Sequence, residues 1–279
     1  MRPEIGFRVV PATATATPRD DLRTEDRALA FGAGSSGGTG VVVCDGVGSR
    51  SGSAATAEAA TGAVRAFMTD RRDAVAAVAG SFAAGAAAVR DDEDGATTML
   101  VLAADHAGNV AYGIVGNGAI VEVLPVEVVP GRWRLHHTDL SFPQVSYERG
   151  RPTLESYLPS ADPTGGAELG ARRLLPGRHR LFLACTDGLV HEDAPLVVRD
   201  ERDGGLWRQV PASLAAVLAD LTAGWPALLA GAAPERDLPL LLQTSLARLA
   251  DADELDDDAT LACLLLLPEE PRPDRREER

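Results

Sequence analysis

A chain of 279 residues, 45% of them apolar, is long enough to bury a sizeable core as one large domain or two small ones. Its net charge of −14 argues against a nucleic acid or an anionic membrane as partner. All 27 basic residues are arginine, which excludes a P-loop lysine, a kinase lysine and a Schiff-base lysine.

In chain order, residues 5–10 alternate as a first strand, and the Ala-Thr-Pro stretch 11–18 reads as an irregular connector. A strand over 27–31 follows, then a Gly/Ser loop over 32–40 that runs into the apolar stretch Val41-Val42-Val43-Cys44. The loop contains a G-x-S-x-G match centred on Ser36. A nucleophile elbow needs strand, turn and helix, and no helix follows, so a serine hydrolase is set aside. Residues 53–70, with Ser53 as N-cap, and 72–89 read as helices. An acidic turn at 91–94 and Gly95-Ala96-Thr97-Thr98 lead into a strand over 99–104, a turn, and a returning strand over 110–115. Gly116-Asn117-Gly118 turns into a strand over 119–124, which 133–138 extends into a sheet. Residues 141–170 show no period and read as an irregular insertion, a candidate flap. Residues 172–175 and 180–186 read as a hairpin across Pro176-Gly177. Residues 211–223 and 238–250 read as helices, 260–267 as a closing core strand, and 268–279 as a charged, disordered tail. No repeat or boundary divides 1–267, so a single α+β layered domain is expected.

No apolar run approaches the ~20 residues of a membrane helix. The amino end is polar and mixed, unlike a signal peptide. Cys44, Cys185 and Cys263 lie inside apolar runs and read as buried free thiols in a reducing compartment. A cytoplasmic protein is the expectation. Zinc is disfavoured, since there is no C-x-x-C pair and no H-E-x-x-H.

The chemistry-bearing residues are acids that end strand-like runs. Val41–Cys44 closes in Asp45-Gly46, residues 181–186 close in Asp187-Gly188, and Asp256-Asp257-Asp258 opens the last strand. A carboxylate at the tip of a buried strand is costly unless compensated, and oxygen-only clusters favour Mg²⁺ or Mn²⁺.

With Glu25-Asp26 and Gly95-Ala96-Thr97-Thr98, these acids form an ordered series that resembles the bacterial branch of the 2C-type metal-dependent serine/threonine protein phosphatases, the PPM family. The resemblance spans nearly the whole chain. It implies an α-β-β-α sandwich of two antiparallel sheets flanked by helix pairs, and two Mn²⁺ or Mg²⁺ ions. It implies that Asp45 bridges the ions, that Gly46 offers its carbonyl, that Asp187 and Asp257 are ligands, and that Glu25 acts through water. Two ions roughly 3.5–4 Å apart activate a water for in-line attack on phosphorus. The implied substrate is a phosphoserine or phosphothreonine protein. The alternative is a catalytically weak regulatory or binding module on the same fold. Val47 stands where eukaryotic members often carry a histidine, which many bacterial members also lack. Two departures stand out. Asp21 stands where a phosphate-binding arginine is common, leaving Arg23, Arg19 or Arg50 to substitute. Asn117 replaces an aspartate associated with a third ion, which makes that ion doubtful here. Oligomeric state is not legible.

Overall fold

The computed structural model describes residues 6–18, 24–32, 38–69, 73–141, 144–148, 151–160, 162, 166–175, 177–190, 198–199, 206–207, 211–231 and 233–269. The elements are β1 (Phe7–Ala16), β2 (Arg27–Gly32), β3 (Thr39–Cys44), α1 (Ser53–Met68), α2 (Ala74–Ala88), β4 (Met99–Ala104), β5 (Asn109–Val115), β6 (Ala119–Val129) and β7 (Arg132–Asp139). They continue as β8 (Val145–Glu148), β9 (Arg151–Leu154), β10 (Glu168–Arg173), β11 (Arg180–Cys185), β12 (Val198–Arg199), β13 (Leu206–Trp207), α3 (Ala212–Ala230), α4 (Pro234–Asp251) and β14 (Ala259–Pro268).

Two five-stranded antiparallel sheets carry the fold, in the orders β1-β14-β11-β6-β7 and β10-β5-β4-β3-β2. Their central strands read as continuous apolar runs because both faces are covered. In β4, Leu100, Leu102 and Ala104 point between the sheets, while Met99, Val101 and Ala103 meet α1 and α2. In β14, Ala262, Leu264 and Leu266 point between the sheets, while Leu261, Cys263 and Leu265 meet α3 and α4. The period of two is therefore present but hidden, since successive side chains enter two different apolar layers. The result is the expected α-β-β-α sandwich. Its three cysteines are buried free thiols, and burial pushes the Cys44 thiol up to about 12.

Several local expectations are corrected. Residues 11–16 are not a connector: β1 runs to Ala16 and pairs with β14 along its full length, with Ala12 and Ala14 buried. Pro11 is tolerated because β1 is an edge strand. Gly52, not Ser53, caps α1. Ser53 instead donates its hydroxyl to Val47 O, 2.7 Å away. Residues 172–175 and 180–186 do not form a hairpin, because β10 pairs with β5 and β11 pairs with β6 and β14 in the other sheet. The chain therefore passes from one sheet to the other between β10 and β11. The stretch 141–170 contains the β8–β9 pair and the start of β10. Helices α3 and α4 carry Pro226 and Pro239 inside them, and buried Leu221, Trp225, Leu228 and Leu242 hold them through those breaks. Contrary to expectation, α3 is long and apolar enough, by length and composition, to cross a membrane. Much of its apolar surface packs on the first sheet. The proposed tail beyond residue 269 lies outside the described residues.

Candidate metal centre

The antiparallel registers bring every acid-bearing strand end to one end of the sandwich. Arg27 pairs with Cys44, Val43 with Leu100, Met99 with Val115, Cys185 with Ala119 and with Leu261, and Ala16 with Ala259. Glu25-Asp26, Asp45, Thr97-Thr98, Asn117, Asp187 and Asp257-Asp258 thus converge from both sheets.

The Gly95–Thr98 motif holds the main chain of Asp45. Thr98 N–H donates to Asp45 O at 2.8 Å, and the Thr97 hydroxyl donates to the same oxygen at 2.8 Å. Asp45 N–H donates to Thr98 Oγ1 at 3.2 Å, and Val47 N–H to Ala96 O at 2.9 Å. These bonds hold the Asp45 main chain through backbone and threonine groups only and make no use of its carboxylate. Gly46 must be glycine, since a Cβ there would lie 2.8 Å from Glu25 Cβ. Gly188 is tighter still: a Cβ would lie 2.0 Å from Asp258 O. The glycine of each Asp-Gly pair thus lets a second acid-bearing loop close in.

Thr186 and Thr260 knit the remaining loops. Thr260 N–H donates to Thr186 Oγ1 at 2.9 Å, and that hydroxyl donates to Asp26 Oδ2 at 3.0 Å. Glu25 N–H donates to Asp258 Oδ2 at 2.8 Å, and Asp258 N–H to Asp257 Oδ1 at 2.8 Å. Asn117 Nδ2 donates to Asp187 Oδ2 at 2.7 Å.

The electrostatics call for positive charge. Asp26 is 2% exposed, and its Oδ1 is buried with no N–H or hydroxyl donor in reach. Burial pushes its carboxyl up to about 7, against hydrogen bonds that pull the other way. Burial also holds Asp45 well above the ordinary carboxylate range, reinforced by the charges of Asp26, Asp187 and Asp257. The donors are all oxygens, which suits a hard dication. Among the described residues, no group of three or more Asp, Glu, His or Cys side chains is spaced to hold an ion as it stands.

All five metal residues expected from sequence, Glu25, Asp45, Gly46, Asp187 and Asp257, stand in this cluster. Arg23, with Arg19 and Asp21, lies outside the described residues. Arg50 is engaged with Tyr157 and Gly95 O. Sequence reasoning counted Asp26 and Asp258 in the acid series but gave neither a role of its own, and both are buried; it gave no role to Thr186 and Thr260. The signal for the threonines was their place beside an acid in Thr186-Asp187 and Asp258-Ala259-Thr260. His106, His136, His137 and His179 lie elsewhere: His106 bonds Phe7 O at 2.9 Å, and the others stand on β7 or just before β11.

No protein-family model matches the sequence, and no curated protein matches it. Solved structures do match. The PPM Ser-Thr phosphatase MsPP from Mycobacterium smegmatis, in complex with cacodylate, is 17% identical over 91% of this chain and 97% of its own, with a TM-score of 0.60. Stp1, a serine/threonine phosphatase from Staphylococcus aureus, is 12% identical over 97% and 99%, at 0.63. The catalytic domain of the serine threonine protein phosphatase PstP, in complex with two manganese ions, is 15% identical over 93% and 100%, at 0.56. Over nearly its whole length, the chain has the fold of the bacterial PPM-type serine/threonine phosphatases.

Proposed function

We propose that the chain is a metal-dependent phosphatase acting on phosphoserine or phosphothreonine in proteins. The observation that carries this reading is the convergence of carboxylates from both sheets on Asp45, whose own charge is opposed by burial and by its neighbours. Asp45, the Gly46 carbonyl, Asp187 and Asp257 would hold two Mn²⁺ or Mg²⁺ ions, with Glu25 acting through water. Bound there, such a pair lowers the pKa of a water and neutralises charge on the phosphoryl oxygens. The residues of this chain supply rigidity: Thr97 and Thr98 fix Asp45, and Thr186 and Thr260 fix the loops of Asp187 and Asp258. Buried free thiols fit a cytoplasmic location. The test is hydrolysis of a small phosphate ester and of a phosphothreonine peptide with Mn²⁺, and again with chelator. Activity that requires Mn²⁺ on both substrates supports the reading; metal-independent activity, or none, sinks it.

A second reading, a phosphatase-fold binding module with weak catalysis, is favoured by one contact. The Asn117 amide donates to Asp187 Oδ2, a place where a cation would otherwise meet that oxygen. This also argues against a third ion. An aspartate at position 117 would set two carboxylates against each other across that short gap and invite a cation between them. Asn117→Asp is expected to lower the melting temperature of the metal-free protein and raise the number of Mn²⁺ ions bound by one, read by calorimetric titration. An unchanged stoichiometry would leave Asn117 as a turn residue only.

A further inference from the structure

Asp92 stands outside the carboxylate cluster, in the turn that leads from α2 into the Gly95–Thr98 motif, and both of its oxygens are engaged. Oδ1 accepts from Asp94 N–H at 3.1 Å and from Gly95 N–H at 3.0 Å. Oδ2 accepts from the hydroxyl of Thr56, a buried residue of α1. The Thr56 hydroxyl, opposed by desolvation and helped by those two N–H groups and the charge of Arg50, holds the Asp92 carboxyl below the ordinary carboxylate range. One side chain thus joins the motif to the first turns of α1.

The seam between them is tight. A Cβ on Gly95 would collide with Thr56 Oγ1 and lie 2.9 Å from Gly52 O, and one on Gly52 would lie 3.0 Å from the carbonyl carbon of Asp94. Gly52 N–H donates to Asp94 O at 3.1 Å, and Ala96 N–H to Ser53 Oγ at 3.3 Å. Beyond the seam, Ala96 O takes Val47 N–H, and Thr97 and Thr98 hold Asp45 O. The Asp45-Gly46 pair therefore hangs on a stretch of main chain whose first residues Asp92 grips. These bonds involve none of the cluster's carboxylates, so Asp92 acts on the cluster through main-chain position.

We propose that Asp92 is a positioning residue for the metal centre: it clamps Gly95-Ala96-Thr97-Thr98 onto α1 and so fixes where Asp45 and Gly46 present their oxygens. The inference rests on the metal-dependent reading above. Ligands on a frame that is already ordered bind an ion without the entropy loss of ordering it, and releasing the clamp restores that loss.

The experiment measures the Kd of Mn²⁺ for the full chain by calorimetric titration, with no substrate present. Asp92→Ala is expected to raise it about tenfold, the lower end of what loss of a group behind a metal ligand costs. Its melting temperature is expected to fall further at a fixed millimolar Mn²⁺ concentration than with chelator. A residue that only stabilises the turn would lower both melts alike and leave Kd unmoved. Asp92→Asn keeps an oxygen for the two N–H groups and offers its amide to Thr56, whose hydroxyl then turns to Gly52 O, 3.1 Å away. It is expected to restore most of the affinity, which separates the clamp from the loss of a negative charge near the ions. Glu93→Ala removes a charge from the same turn and is expected to leave Kd unchanged. An unchanged Kd in Asp92→Ala, or an equal loss in Asp92→Ala and Asp92→Asn, overturns the proposal and leaves the metal-dependent reading standing. Thr56→Val removes the hydroxyl and keeps the shape; it is expected to raise Kd as well, and an unchanged Kd there overturns the proposal if Asp92→Ala does not fold. If the wild-type chain binds no Mn²⁺, the metal-dependent reading fails and this proposal with it.

Discussion

Asp45→Asn is expected to lower Mn²⁺-dependent hydrolysis of a phosphate ester by roughly a thousandfold or more while raising the melting temperature of the metal-free protein. The loss follows from removing the carboxylate at the centre of the cluster, since a Lewis-acid metal pair supplies several kcal/mol of transition-state stabilisation. The gain follows from the same geometry. The main chain of Asp45 is held by Thr97, Thr98 and Ala96, which the amide leaves untouched. The charge itself is opposed by burial and by Asp26, Asp187 and Asp257, so neutralising it relieves a cost in the folded state only. Activity assays and thermal melts on one preparation check both halves. Wild-type turnover by Asp45→Asn would falsify the two-ion reading.

The second large effect is on stability against pH. Asp26 titrates at about 7 in the folded chain, against 3.8 for the unfolded reference. Between those values the folded state keeps a proton that the unfolded state has released. Stability of the metal-free protein therefore falls as pH rises from about 4 to about 7, by a few kcal/mol at most from this group. Asp45, raised for related reasons, acts in the same direction. Asp92 and Asp220, both lowered, act oppositely and in a separate window, where stability is lost as pH falls below about 4. A dication that binds only the folded state offsets the cost of ionised carboxylates by mass action. Saturating Mn²⁺ is thus expected to raise the melting temperature strongly at pH 7.5 and hardly at all at pH 4.5. Asp26→Asn should flatten the metal-free profile between pH 4 and 7. Equal Mn²⁺ shifts at both pH values would count against these carboxylates as the binding site.

The acids were legible because each ends or opens a long apolar run, and such a position is costly without a compensating charge. Their order along the chain then tied them to one fold. The parts that were not legible depend on partners far away in sequence. Glu25 and Asp26 are adjacent acids, and only the Thr186 hydroxyl and the loop before β14 decide that Asp26 is the buried one. The Ala-Thr alternation of residues 11–16 reads as a connector by composition. It is strand because Ala12 and Ala14 are small enough to lie under α4 while β14 supplies the backbone partners. Pro176-Gly177 announces a change of direction and says nothing of which sheet receives the next strand. The two ends of 144–158 carry no periodic signal, since their order comes from backbone bonds to Gly116 and Thr97.

The carboxylates divide between the sheets, with Asp45 following β3 in one and Asp187 and Asp257-Asp258 bordering β11 and β14 in the other. Because β14 lies between β1 and β11, β1 cannot join β11, β6 and β7 until residues 259–268 have been synthesised. A nascent chain emerging from the ribosome can pair β2 through β5 early, from local hairpins. It then presents Asp45 and Asp26 on a half-sandwich without the acids that border β11 and β14. If the cluster holds ions as proposed, their capture would wait until β14 has joined β1 to β11.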